Sequence, residues 1–492
     1  MTSPFADARH LSAALSATVV PAASLVLAVV DPRLGHWFLV PVTVCGVLVG
    51  VDVVDWLRRR RDVLDPQALV GLLGLHFFYL APILHVLCDY WMRESFPAGD
   101  WRDALGAMAL LNAAGLAVYR AVLAVRPRRG TRAMLLRQGT FYAAGLAAVA
   151  VGVGAFAVEV ALLGGWQGFV STMTGNRADL EGLGWVLIVA ESFPLVAFAL
   201  VTFRWREVLA RHPALVPLLL LVFAAAQFVV SGARGSRNNT VWPVLAGLIL
   251  VHYLVRQVRR RTLVGFALVF VTFMYAYGLY KGAGTQVLDI ARGQRTVAEI
   301  SDRTGRDLPT MLLGDLARAD VQALVLERIR TGQAAPAMGA TYLTAPAFAV
   351  PQWLAPDPPP GKVEAGTDAI FGSGAYEAGL RSSRVYGITG EAVLNFGPLG
   401  GLLSFALFGL VVRAARRFCT AARSSPDLAR RLLAPSVTVI AISALSWDAD
   451  NLVWFCLKHV MPLAAVVLVA VGGGRERPAP STVAAVPEGS RR

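Results

Sequence analysis

Two arginines lie in a short polar stretch between two apolar runs. The stretch reads SGARGSRNN, residues 231–239, and contains Arg234 and Arg237. Guanidinium groups bind phosphate through paired hydrogen bonds, and the start of a helix adds a dipole that favours an anion. These residue types at this place predict a site for a phosphate or pyrophosphate group. The alternative for each arginine is a solvated loop residue or one that reaches lipid headgroups.

A second candidate site lies in the apolar segment 385–417, which is too long for one straight membrane span. Asn395, Gly397 and Pro398 interrupt its helical pattern. Non-helical backbone at membrane depth is tolerated only where it lines protein or a watery cavity, so this break indicates a site. We expect a short helix at the membrane surface up to residue 397 and a span from Pro398.

Glu391 on that short helix is the most prominent carboxylate of the chain. It is predicted either to accept a proton from a reacting hydroxyl or to pair with an arginine. With Arg234 and Arg237 it forms the predicted catalytic set. The candidate substrate-binding residues are Asn238, Asn239, Arg381, Arg384, Asn395 and His459.

Each of these polar residues also has a structural interpretation. Asn238 and Asn239 hydrogen-bond sugar hydroxyls or cap the next helix. His459 acts as a base or belongs to an ion-pair network at the last turn, whose other members are Asp448, Asp450 and Lys458. Glu191 lies deep in an apolar run, where an ionisable group is costly; proton relay, helix packing and cavity lining are all open.

Composition identifies the chain as an integral membrane protein. Of its 492 residues 56% are hydrophobic and 16% charged, with a mean hydropathy of +0.56. The net charge of +14 is concentrated between apolar runs, which favours membrane topology over nucleic-acid binding. The four cysteines form neither a metal-binding nor a disulfide pattern, so we predict no metal.

The apolar runs predict an all-α polytopic membrane protein with about 12 transmembrane helices. Nearly all arginine-rich loops then fall on one side of the membrane, and the positive-inside rule places that side and both termini in the cytoplasm. The predicted spans are 11–30, 36–55, 67–89, 103–123, 139–163, 183–203, 214–231, 240–254, 263–281, 398–413, 433–449 and 452–471.

These spans divide the chain into five regions. They are a transmembrane bundle (1–281, spans 1–9), a large extracytoplasmic loop (282–384), an interfacial helix (385–397), the last three spans (398–471) and a disordered cytoplasmic tail (472–492). The loop begins with helix-like sequence and becomes rich in proline and glycine. It is predicted to be partly helical and to cover a substrate; the alternative is a surface insertion without function.

Four motifs resemble one family when they are taken in order along the chain. They are LDPQAL before the third span, SGARGSRNN, GATYLTAPAFAVPQWLAPDPPPGK in the large loop, and SRVYGITGEAVLNFGPLGGLLSFALFGL after it. This arrangement resembles the O-antigen polymerases and oligosaccharide repeat unit polymerases. The motifs are short, but their order extends over most of the chain.

The resemblance implies transfer of a growing polysaccharide from polyprenyl pyrophosphate onto the next lipid-linked repeat unit. The reaction would occur at the outer face of the cytoplasmic (inner) membrane, without a cofactor. The implied partners are a polyprenyl-pyrophosphate-linked oligosaccharide, the lipid bilayer, a flippase and a chain-length regulator, with no nucleic acid.

Three other functions stay open. A polysaccharide ligase would share fold and donor and differ in its acceptor. A glycosyltransferase that uses polyprenyl-phosphate sugars is disfavoured, because the first outer loop has Asp31 as its single acidic residue. A lipid-linked oligosaccharide flippase or transporter would need charges along a central cavity, whereas the unusual polar residues here gather at one face.

Overall fold

The structure, a computed structural model, describes residues 4–92, 95–125, 134–174, 184–233, 237–347 and 360–471. The regular elements of these ranges are helices, and the strand-like pairing found there is one isolated bridge between Leu136 and Val471. Arg234, the proline-rich run 348–359 and the predicted tail 472–492 lie outside the described residues.

The described residues form helices α1 to α22. Their bounds are α1 Pro4–Val30, α2 Leu39–Leu57, α3 Pro66–Leu75, α4 Ala81–Leu87, α5 Trp101–Ala124, α6 Gln138–Leu162, α7 Gly165–Thr174, α8 Gly184–Ala190, α9 Phe193–Arg204, α10 Arg206–Arg211, α11 Leu215–Gln227, α12 Asn238–Leu254, α13 Arg260–Ala283, α14 Leu288–Ala291, α15 Val297–Thr304, α16 Ala319–Arg330, α17 Ala340–Thr344, α18 Lys362–Phe371, α19 Gly387–Ser424, α20 Leu428–Ser446, α21 Ala449–Phe455 and α22 Met461–Ala470.

Eleven helical stretches in the described ranges are long and apolar enough to cross a membrane. The prediction of an all-α polytopic membrane protein is therefore confirmed. The predicted span 240–254 is not among the eleven, because α12 has 17 residues and reaches about 25 Å at 1.5 Å per residue. It packs against α9, α11 and α20, which bury most of its side chains.

The connections between the helices meet at two opposite ends of the bundle. One end, the arginine face, holds the connections 58–65, 134–137, 255–259 and 425–427. There Asp62 accepts from His252 (3.0 Å) and pairs with Arg423 (2.7 Å), while Asp427 accepts from the backbone N–H of Met134 (2.7 Å). Burial works to raise the pKa of Asp62, but the hydrogen bond from His252 and the charge of Arg423 hold it at about 2.

The other end, the loop face, holds the region between α13 and α19. Its described part contains helices α14 to α18, so the predicted partly helical loop is confirmed. Helix α15 begins with a capping box, in which Thr296 and Glu299 satisfy each other's backbone N–H groups. Helix α16 is enclosed between α5 and α19, with most of its residues buried. This part of the loop therefore packs inside the helical bundle.

Helix α19 is interrupted where the sequence predicts a break. Gly397 has φ 66° and ψ −159°, and Pro398 follows it. The segment before the break, Gly387–Phe396, packs against α16, and its Val393 and Leu394 side chains are buried. After the break the helix packs against α5 and α20. The close approach to α5 requires Gly115, where an added Cβ would overlap the ring of Phe405.

Replacing Gly397 with alanine should destabilise the protein. The φ and ψ of Gly397 lie in a region open almost only to glycine, so a side chain there costs about 1–3 kcal/mol. Gly265→Ala is the matched control, because Gly265 lies inside α13 with open space around it. We expect the thermal unfolding midpoint in detergent to fall for Gly397→Ala and to stay level or rise for the control. Equal shifts in both variants would contradict this.

Candidate functional site

Glu391 lies on the short segment before the break and is 2% exposed. One carboxylate oxygen accepts from the Thr341 hydroxyl (2.8 Å), and the other accepts from the backbone N–H of Ala449 (2.7 Å). Three distant parts of the chain therefore meet at this carboxylate. It forms no ion pair with any arginine of the described ranges, so the predicted pairing with an arginine does not appear there.

Asn395, one turn further along α19, links the loop to the same segment through hydrogen bonds. Its amide nitrogen donates to the Thr341 hydroxyl (2.7 Å) and to the backbone carbonyl of Glu391 (2.8 Å), and its amide oxygen accepts from the N–H of Gly339 (3.1 Å). Both amide hydrogens are used within the protein. Asn395, predicted to bind substrate, therefore positions Thr341 and Glu391.

Asp448 anchors the start of α19. One of its oxygens accepts from the backbone N–H groups of Tyr386 (2.8 Å) and Gly387 (2.7 Å). The other oxygen pairs with Lys362 (3.0 Å), which also pairs with Asp450 (2.9 Å). Burial would lower the pKa of Lys362, but the two carboxylates outweigh it and raise that pKa. Lys362 therefore stays charged and ties α18 to the turn before α21.

Arg318 is a buried cation that sequence analysis did not single out. It precedes α16 in a left-handed conformation (φ 67°) and is 8% exposed. Its guanidinium lies over the ring of Phe77, 5.7 Å from the centroid, and makes no hydrogen bond or ion pair with a described residue. Burial lowers its pKa to about 10, so it is still protonated at neutral pH. A buried, charged and unpaired guanidinium is suited to an anion.

Arg237 lies in the same electrostatic neighbourhood. It pairs with Asp315 (2.8 Å), and Asp315 also pairs with Arg306 (3.2 Å). The charges of Asp315 and Arg237 both act on the pKa of Arg318. Asp315 therefore pairs with both Arg237 and Arg306, and the charges of Asp448 and Asp315 both favour the charged form of Arg318. The anion site at Arg237 stays a prediction, and Arg318 is a second cation close enough to feel the charge of Arg237.

A buried ion pair lies next to this cluster. Lys458 donates to Glu191 (2.7 Å), which also accepts from the side-chain amide of Asn239 (3.3 Å), and the Lys458 ammonium lies 4.4 Å from the Trp454 ring centroid. Glu191 lies at the junction of α8 and α9. Among the open interpretations of Glu191, helix packing through a polar contact has direct structural support. Lys458 pairs with Glu191, whereas Asp448 and Asp450, with which it was grouped by sequence, pair with Lys362.

The remaining predicted residues have different surroundings. His459 is 2% exposed, packs 5.1 Å from the Phe455 ring, and has no hydrogen-bond partner for either ring nitrogen among the described residues. Arg381 is exposed and stacks on Tyr376. Asn238 is half-buried at the first position of α12. Arg384 is half-buried, and its charge opposes the rise that burial causes in the pKa of Tyr90 and of Tyr386.

The described ranges contain four widened π-helical turns that hold or adjoin these residues, and no sequence pattern predicted them. They are His76–Leu80, Phe228–Gly232, Thr310–Asp315 and Cys456–Val460. One contains Phe77, which faces Arg318; others contain Asp315 and the pair Lys458 and His459; and the fourth leads into the stretch that holds Arg237. Such turns are frequent at functional sites because they redirect side chains.

Removing one member of the Glu191–Lys458 pair should destabilise the folded protein more than removing both. Lys458→Met leaves a buried carboxylate without its cation, which costs about 3–5 kcal/mol. The double variant Glu191→Gln/Lys458→Met removes both charges and should recover most of that loss. Thermal unfolding midpoints of the two variants and the parent measure this. A double variant no more stable than Lys458→Met would show that the unpaired Glu191 carboxylate does not cause the loss of stability.

Comparison of the chain with protein-family models, with curated proteins and with solved structures finds no match. The functional assignment therefore depends on the residues themselves. They include, at the loop face, the buried carboxylate of Glu391 and the buried guanidinium of Arg318, which has no hydrogen bond or ion pair in the described chain.

Proposed function

We propose that the chain polymerises polyprenyl-pyrophosphate-linked oligosaccharide repeat units into a surface polysaccharide at the outer face of the cytoplasmic membrane. The observation that carries the proposal is Arg318, a buried guanidinium that has neither a hydrogen bond nor an ion pair with any described residue. A protein seldom buries such a charge unless a ligand pairs with it. The motif order described above and the proximity of Arg237 to Arg318 support the same substrate class.

The reaction needs a cationic site and a proton acceptor. The bond between the donor sugar's anomeric carbon and the pyrophosphate oxygen breaks, and the acceptor hydroxyl oxygen forms the new bond to that carbon. The leaving polyprenyl pyrophosphate gains negative charge, which Arg318 and Arg237 would stabilise by charge-assisted hydrogen bonds. The acceptor's proton would move to Glu391, the buried carboxylate of this region.

The arrangement of Glu391 is compatible with a base. Each of its oxygens accepts one hydrogen bond, from Thr341 and from Ala449, and each retains a lone pair for a substrate hydroxyl. Its link to Arg318 runs through Asp448, whose charge acts on the pKa of Arg318. Asp448 would thus anchor the start of the helix that carries Glu391. Its charge would also act on the proposed phosphate site at Arg318.

The size distribution of surface polysaccharide in the native host tests this proposal. Deletion of the gene should reduce a ladder of long chains to single repeat units, and the parent chain should restore it. Glu391→Gln should lower polymer formation by about 10²–10⁴-fold, as expected for loss of a general base. Arg318→Gln should lower it by about 10²–10³-fold, as for loss of a group that stabilises transition-state charge.

Matched controls separate function from folding. Glu377→Gln and Arg292→Gln change exposed residues of the same loop region and should restore the ladder. Purified Arg318→Gln should be as stable as the parent or more so, because an unpaired buried charge has been removed. A less stable Arg318→Gln protein would indicate a structural role instead.

Two outcomes favour the other functions. If deletion leaves chain length unchanged and free polymer accumulates unattached, the chain is a ligase. If deletion makes lipid-linked repeat units accumulate on the cytoplasmic side, the chain is a flippase, and the roles of Glu391 and Arg318 in transfer are wrong.

A further inference from the structure

A separate polar cavity of about 250 Å³ opens at the loop face. It lies where the turn between α1 and α2, the end of α4 and the start of α5 meet. None of its lining residues belongs to the transfer site described above. They are Arg33, Val86, Asp89, Asp100, Trp101 and Arg102.

Its two arginines are held firmly in place. Arg33 binds Asp31 (2.6 Å) and the backbone carbonyl of Leu87 (3.1 Å). Arg102 binds Asp100 through two nitrogens and donates to the backbone carbonyl of Arg33 (3.1 Å). The sides of the cavity that carry Arg33 and Arg102 are therefore joined by hydrogen bonds. These side chains lose little conformational entropy when a ligand binds.

Asp89 supplies a free acceptor in this cavity. Its carboxylate is exposed and makes no hydrogen bond or ion pair with a described residue. Its backbone is left-handed, with φ 46°, a conformation that aspartate and asparagine adopt more readily than other residues with a side chain. The backbone is held there by hydrogen bonds that Asp89 and Tyr90 donate to the carbonyls of Val86 and His85.

Trp101 and Val86 give the cavity an apolar surface. The Trp101 ring packs against Trp91, with 5.4 Å between centroids, and is half-buried. An indole ring offers a broad flat face at low entropic cost. Sugar rings present C–H groups on one face and hydroxyls at the edge, which matches an apolar wall surrounded by carboxylates and guanidiniums.

The net charge of the lining favours a sugar over a phosphate as the ligand. The lining holds two cations, Arg33 and Arg102, and two anions, Asp89 and Asp100, so its net charge is zero. Asp31, bound to Arg33, makes the surroundings negative. An anion would gain little there, whereas a neutral polyol can both donate to the carboxylates and accept from the guanidiniums.

We infer that this cavity binds one sugar residue of the polysaccharide, away from the bond that is made. The identity of the sugar rests on the proposed function. Such a site would retain the growing chain between transfers, so it would govern chain length more than the formation of a single bond.

Binding of oligosaccharides to the full chain in lipid nanodiscs tests the inference. The probe is the mixture released by mild acid from the host's own surface polysaccharide, and binding is measured by saturation-transfer NMR and titration. Asp89→Asn retains the side-chain size and tolerates the left-handed backbone. We expect it to weaken binding about tenfold, as for the loss of a hydrogen bond to a charged group. Trp101→Leu should weaken binding as well.

Asp302→Asn, at an exposed position of α15, is the control and should bind like the parent. The inference is overturned if the parent binds no oligosaccharide, if Asp89→Asn binds as tightly as the parent, or if inorganic pyrophosphate displaces the sugar. In membranes, Asp89→Asn should still form the first bond while its longest chains disappear. A parent chain that binds the oligosaccharide but transfers nothing would refute the proposed function and leave the sugar site standing.

Discussion

The broken helix α19 imposes the constraint on which the loop face depends. In a bilayer every freed backbone group must find a partner, and the segment Gly387–Phe396 has two free ends. Asp448 accepts from the N–H groups at its start, and the N–H groups of Ala337 and Met338 donate to the carbonyls of Leu394 and Asn395 near its end, both at 2.9 Å. The loop, the last turn and the helix therefore hold one another in place.

Arg318 differs from the other buried charged residues of this region. Glu391, Asp448, Lys362 and Glu191 are all buried, and each has a hydrogen-bonded or charged partner of the protein. Arg318 is buried with neither a hydrogen bond nor an ion pair in the described chain, and the charges of Asp448 and Asp315 act on it from beyond ion-pair distance. Because burial lowers the pKa of Arg318 despite the charges of Asp448 and Asp315, a ligand that supplies a further negative charge would stabilise this guanidinium.

Local signals predicted much of this from the sequence. Hydrophobic runs predicted the helical bundle, and Gly397 with Pro398 predicted the break, because glycine and proline act on their own backbone. The partners of Glu391, which are Thr341 and Ala449, lie 50 and 58 residues away in the sequence and could not be paired from spacing. Arg318 was missed for the same reason, since burial depends on packing and the π-helical turns beside it have no sequence signature.

The most direct measurement of the central claim is reconstitution of the purified chain in vesicles with lipid-linked repeat units from the host. Glycan length and free polyprenyl pyrophosphate are followed together, without nucleotide or ATP. The account predicts that glycans lengthen and that one polyprenyl pyrophosphate is released for each bond formed. Vesicles in which repeat units only change leaflet, or in which no pyrophosphate lipid is released as chains grow, would contradict it.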